Sequence, residues 1–106
     1  MIDIQESSGN VYADISRVNA HDMLIKARLA SKIGEIIKLR KLTQMQAAQI
    51  LCLPQPKLSA MLRGQFRGIS EAKMLSCLNR LGRDVEIVVH PTSRRRRPAT
   101  TQVVFA

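Results

Sequence analysis

Apolar positions along this chain recur at helical spacing in four successive stretches and then switch to alternation. Met23, Ala27, Ala30, Ile33, Gly34 and Ile37 mark one stripe, widened by Leu24, Ile36 and Leu39. They predict a helix over 23–41, with Asn19 as its cap and Asp22 favourably placed on its dipole. Ala47, Ala48 and Leu51 predict a second helix over 43–52. It is opened by a capping box in which Thr43 takes an orphan N–H and Gln46 reaches back. Cys52-Leu53-Pro54 breaks that pattern, because proline has no donor and biases its predecessor away from helical angles. A third helix over 55–63 follows at once, with Pro56 in its first turn, Leu58, Met61 and Leu62 as its stripe, and Gly64 as its stop. Ser70 caps a fourth over 71–81, striped by Met74, Leu75, Leu78 and Leu81, with Cys77 beside them and Gly82 at its end.

On either side the pattern changes. Residues 1–18 show weak periodicity and a Ser-Ser-Gly-Asn cluster, so they form a flexible N-terminal segment. Its apolar Val11 and Tyr12 either cover the core or bind a partner. Residues 19–90 form the folded domain. Within it, Val85, Ile87 and Val89 alternate with Asp84, Glu86, Val88 and His90, which predicts a short strand. A lone strand needs a mate, found in the same strand of a second subunit, antiparallel across a two-fold axis, or in the segment at Val11. Residues 91–106 are a basic tail whose four consecutive arginines, Arg94, Arg95, Arg96 and Arg97, repel one another. They act either as an arm on DNA phosphates or the minor groove, or as a solubilising tail.

Composition sharpens this picture. With 106 residues, 45% of them hydrophobic and very few aromatic, the chain suits one domain with an aliphatic core. Nothing approaches a membrane span or a signal peptide, so a cytoplasmic location is expected. Cys52 and Cys77 lack ligand spacing and read as reduced and partly buried. The formal net charge is +9, and no acidic residue occurs from Ile36 to Ser70, where Lys38, Arg40, Lys41, Lys57, Arg63 and Arg67 lie. Residues 1–22 instead carry Asp3, Glu6, Asp14 and Asp22 against Arg17. A basic stretch coinciding with two short helices across a tight turn is what phosphate attraction requires.

Those two helices read as a helix-turn-helix. Thr43 and Gln44 at the start of the first are placed to bond phosphate. On the second, Gln55 suits bidentate reading of adenine and Pro56 contact with a thymine methyl, while Ser59 and Arg63 follow on the same side. Lys57 and the loop residue Arg67 suit phosphate. Catalysis and metal binding are not expected. His21 and His90 stand apart with no nucleophile or cysteine partner, and His21 falls in an exposed first turn.

The run T-Q-x-x-A-A-x-x-L from Thr43 to Leu51, followed by Q-P-K-L-S-x-M-L-x-G from Gln55 to Gly64, resembles the XRE (lambda-repressor-like) family. SGNVYADI at 8–15 and LGRDVEIVV at 81–89 extend the likeness to the HigA-like antitoxins of bacterial toxin–antitoxin pairs. The resemblance covers roughly residues 7 to 90. It implies an all-α, lambda-repressor-like bundle of four to five helices with a short C-terminal β-strand pairing across a homodimer through Val85, Ile87 and Val89. It also implies a repressor of a palindromic DNA operator that holds a HigB/RelE-like toxin, Val11 and Tyr12 lying in the segment that touches it. A free-standing regulator without a toxin is the alternative. No cofactor is implied. The sequence departs from the family pattern at Cys52, usually Gly, and at Pro54, usually Ser or Thr. The first puts a side chain where a left-handed turn costs about 1 kcal/mol, and the second removes a side-chain cap.

Overall fold

A computed structural model describes residues 8–92 and 99–106, with side chains from residue 20 onward. Among the described residues four helices follow one another: α1 (Ser8–Leu39), α2 (Gln44–Leu51), α3 (Gln55–Leu62) and α4 (Glu71–Arg80). α1 packs on α4 and α3, while α2 packs on α3 and α4. The shared core is aliphatic: Ile33, Ile36, Leu51, Leu58, Met61, Met74 and Cys77 are the largest fully buried side chains. Each large apolar side chain so enclosed stabilises the fold by about 1.5–3 kcal/mol relative to exposure. Phe66 is buried under the loop after α3, as an anchor should be. Gly34 lets α1 approach α3, since a Cβ there would lie 3.3 Å from Leu62 Cδ2.

All four helices end the same way. An amide two or three residues past each end reaches back to a carbonyl five residues earlier: Leu42 to Ile37, Leu53 to Ala48, Gln65 to Ala60 and Arg83 to Leu78. This is the Schellman arrangement, and it places the residue between in the left-handed region. Gly64 (φ 91°) and Gly82 (φ 89°) take that conformation freely, but Lys41 and Cys52, both at φ 56°, do so with side chains attached. The left-handed turn at Cys52 is therefore kept without its glycine.

Several expectations need correcting. α1 begins at Ser8, so Asn19 lies inside the helix and caps nothing, and Val11 and Tyr12 belong to a helix that cannot supply a strand partner. The helix also stops at Leu39, because Lys41 turns left-handed. Its buried stripe is Leu29, Ala30, Ile33, Ile36 and Ile37, whereas Leu24 and Leu39 are exposed. Among the described residues no strand forms: 83–92 runs as open chain, with no backbone hydrogen bond from 84 onward. Val85, Ile87 and Val89 therefore have no ladder partner among the described residues. The side chains of Val11 and Tyr12 and the run Arg94 to Arg97 lie outside the described residues.

Candidate nucleic-acid interface

Thr43 fixes where the reader starts. Its Oγ1 accepts from Gln46 N–H at 3.1 Å, and Gln46 Oε1 accepts from Thr43 N–H at 2.9 Å. The hydroxyl hydrogen of Thr43 remains free to donate outward. Gln44 is exposed at the first position of α2, where amides have no helical acceptor. Met45, 63% exposed beside it, is the residue that pattern reading passes over. Its only signal is that it falls outside the Ala47, Ala48 and Leu51 stripe.

The turn from Cys52 to Pro54 delivers α3. Leu53 is buried and pins the turn to the core. Pro54 occupies the cap position at φ −59° and ψ 141° with no side-chain cap, as its identity requires. Its carbonyl accepts from both Lys57 and Leu58 N–H at 3.0 Å. Leu58 and Met61 then turn inward, so Gln55, Pro56 and Lys57 stand together, exposed, on the opposite side of the first turn. Ser59 is half-buried and accepts a 2.6 Å hydrogen bond from Arg63 Nη1. These two side chains thus engage each other, and Arg63 must give up that bond to reach a base or phosphate. Arg67 is exposed in the next loop.

Three cations serve the scaffold. Lys26 Nζ donates to the carbonyl of Arg67 at 3.3 Å and so holds the loop that presents the Arg67 guanidinium. Arg40 Nη1 donates to Leu81 O at 3.4 Å, and Lys73 Nζ to Leu51 O at 3.5 Å, each meeting the carbonyl end of a helix where positive charge is favoured. Arg40 had counted among the candidate phosphate charges by its position in the basic stretch. What remains around the reader is Lys38, Lys41, Lys57, Arg63 and Arg67, all exposed.

His21 is half-buried well inside α1, and not in a first turn; its Nε2 is enclosed without a hydrogen-bond partner. It shares the lining of one hollow with His90, a proximity that sequence separation conceals. Among the described residues no group of three or more His, Cys, Asp or Glu side chains is placed to hold a metal ion, and no helix is long and apolar enough to cross a membrane. Both cysteines are free. Cys52 is exposed, and burial pushes the Cys77 thiol above its usual range, with Lys73 and Arg80 opposing.

Two short helices at a tight turn, the second offering amide, apolar and cationic groups from its first turn, define a helix-turn-helix reader. A family model described as a helix-turn-helix domain matches residues 11–90. A solved structure described as "Putative XRE Family Transcriptional Regulator" is 36% identical, superposes with a TM-score of 0.78, and is matched over 83% of this chain and 99% of its own. No curated protein sequence matches the chain. The chain belongs to the XRE family of helix-turn-helix DNA-binding proteins.

Proposed function

We propose that this protein is a sequence-specific repressor that binds duplex DNA as a homodimer on a palindromic operator in the cytoplasm, without catalytic activity or cofactor. The observation that carries the reading is the joint exposure of Gln55, Pro56 and Lys57 on the first turn of α3, seated on buried Leu58 and Met61. Gln55 reads a base edge, Pro56 lies against a thymine methyl, and Lys57, Arg67, Thr43 and Gln44 hold phosphates on either side. Ser59 and Arg63 engage the duplex together once their mutual bond opens. Two copies set the readers about one helical turn, ~34 Å, apart. The finer assignment is an antitoxin that represses its own operon and holds a HigB/RelE-like toxin. It is supported by the resemblance of 8–15 and 81–89 to that group and by the acidic bias of residues 1–22.

The test is a mobility shift on the DNA upstream of the gene, with and without the product of the neighbouring gene, after co-purification of the two. Gln55→Ala should cost about 1–3 kcal/mol and relax one base position. Lys57→Ala should weaken all sequences alike and reduce the salt slope by about one. Equal affinity of the parent protein for every duplex would sink the repressor reading. Failure of the neighbouring product to co-purify would leave a free-standing regulator in place of an antitoxin.

A further inference from the structure

The turn from Phe66 to Ile69 stands off the end of α3 as a small rigid projection. Buried Phe66 and Ile69 pin its two sides to the core, and the Ile69 N–H closes it on the Phe66 carbonyl at 3.0 Å. Just before it, the Gln65 N–H returns to Ala60 O at 2.8 Å, which ties the projection to α3 itself. Arg67 and Gly68 at the tip are exposed, and a Cβ at Gly68 would meet nothing within 4 Å, so the tip is open to an approaching ligand. The amides of Arg67 and Gly68 donate to no backbone carbonyl among the described residues.

α1 reaches this tip across 41 residues of sequence, through the 3.3 Å bond from Lys26 Nζ to the Arg67 carbonyl. An ammonium has three N–H donors, and the carbonyl takes one. Two remain at the turn. The charge there is uncompensated as well: no acidic residue occurs from Ile36 to Ser70, and the ion pair among the described residues joins Lys32 to Glu35 at 3.4 Å, leaving Lys26 out. Cations and backbone amides with donors to spare, gathered where no carboxylate competes, suit a phosphate diester.

We infer that Lys26, Arg67 and the amides at the turn's tip form a phosphate clamp flanking the reader, which brings α1 onto the DNA backbone. The inference rests on the reading of the protein as a DNA binder. It gives Lys26 a role beyond holding the loop and gives the tip two charges in place of one. Lysine is a point charge on a flexible stem, so anchoring its ammonium in the free protein removes freedom that binding would otherwise have to remove. The clamp is thus set before DNA arrives, whereas Arg63 must first leave Ser59. Phosphate contacts carry no sequence information, so the clamp acts on every duplex alike.

Salt titrations of binding by the full chain, on the DNA upstream of the gene and on a scrambled duplex, test the clamp. Each phosphate contact contributes about 0.9 to the slope of log affinity against log salt. Lys26→Gln removes the charge but keeps a donor for the Arg67 carbonyl. It should leave the helical circular dichroism unchanged and lower the slope by about one on both duplexes. Between about 50 and 200 mM salt its affinity should then fall roughly 3.5-fold less than the parent's. Lys26→Arg should restore the slope. Arg67→Ala should lower it by about one, and the double variant by about two. A slope that ignores Lys26→Gln overturns the clamp. So does a Lys26→Gln effect that vanishes in the Arg67→Ala background, because Lys26 would then only position the loop. Additive slope losses in a parent that prefers no sequence would uphold the clamp while refuting the repressor. A sequence-specific parent whose slope is indifferent to Lys26 would do the reverse.

Discussion

The reader, from Thr43 to Gly64, and the segment 83–92 are similar in their share of apolar residues, yet one is closed and the other open. In the reader the start of α2 and the ends of α2 and α3 are resolved inside the chain: Thr43 and Gln46 cap each other, and the amides of Leu53 and Gln65 return to Ala48 and Ala60. Its apolar stripes reach the core, with Leu51 and Leu58 fully buried and Met45 left outside. In 83–92 the amides past Arg83 return to no backbone carbonyl among the described residues, and Ile87, Val88 and Val89 stand in solvent. The difference separates a region that the chain closes on itself from one that it leaves open among the described residues. The closed region can hold side chains rigidly for recognition. The open one has donors, acceptors and apolar area left over for another molecule.

The strongest way to break this comparison is to truncate one large side chain in each region. Leu58→Ala empties a fully buried site and should lower the unfolding free energy by about 2–5 kcal/mol in urea titrations. Val89→Ala removes methyls that are 90% exposed in the single chain, and at concentrations below dimerisation should change stability by less than about 0.5 kcal/mol. If the two cost the same at low concentration, 83–92 is buried in its own fold and the contrast is lost.

A smaller effect tests how the reader is closed. Thr43→Ala removes the acceptor for Gln46 N–H and leaves the reciprocal Gln46 contact unsupported. A loss of about 1 kcal/mol, within the 0.5–2 range of such caps, is expected from chemical denaturation. The same variant should weaken DNA binding generally, because α2 and its outward groups start from that cap.

How much of this was legible in the sequence divides along the same line. Thr43, Pro54, Gly64, Ser70 and Gly82 act through local backbone chemistry, so their residue types announced the bounds of α2, α3 and α4. The start of α1 was not legible. Ser, Gly and Asn near position 8 suit a turn as well as a helix N-terminus, and only packing decides between them. Its end was hidden for the opposite reason, since Lys41 takes a left-handed angle that nothing in its side chain favours. The alternation at 84–90 was visible, but a ladder belongs to a pair of segments, and no second segment among the described residues pairs with this one. The Ser59–Arg63 bond and the diversion of Arg40 to Leu81 depend on side-chain reach that spacing alone leaves open.

Cys52→Gly sharpens the view of the reader's turn. The left-handed φ of 56° at Cys52 is a position where glycine avoids a Cβ clash, so the substitution should raise stability by about 1 kcal/mol. Glycine also loses more freedom on folding, which trims the gain. A thermal melt at fixed concentration measures the balance. A net loss would mean that the exposed Cys52 side chain, whose Sγ lies 3.9 Å from the Gln49 carbonyl, contributes more than the strain costs.

The smallest effect concerns the closed region's own interior, at Cys77. Burial in α4 holds its thiol protonated above the usual range, opposed in part by Lys73 and Arg80. In the unfolded chain the same thiol titrates near 8.5, so as pH rises past that value the unfolded state loses its proton first, and folding stability falls. The contribution is whole below about pH 8.5 and disappears as pH climbs through the raised folded value. Unfolding titrations at intervals between neutral and mildly alkaline pH should show a downward slope that Cys77→Ala flattens, even though that variant starts from lower stability because it leaves a small void. A thiol reagent provides the matching kinetic contrast. Cys52 should react at once in the native protein, and Cys77 only at the rate at which α4 opens. Equal rates at the two thiols, or a slope unchanged by Cys77→Ala, would mean that water reaches the interior as freely as it reaches 83–92, and the division between closed and open regions would fail.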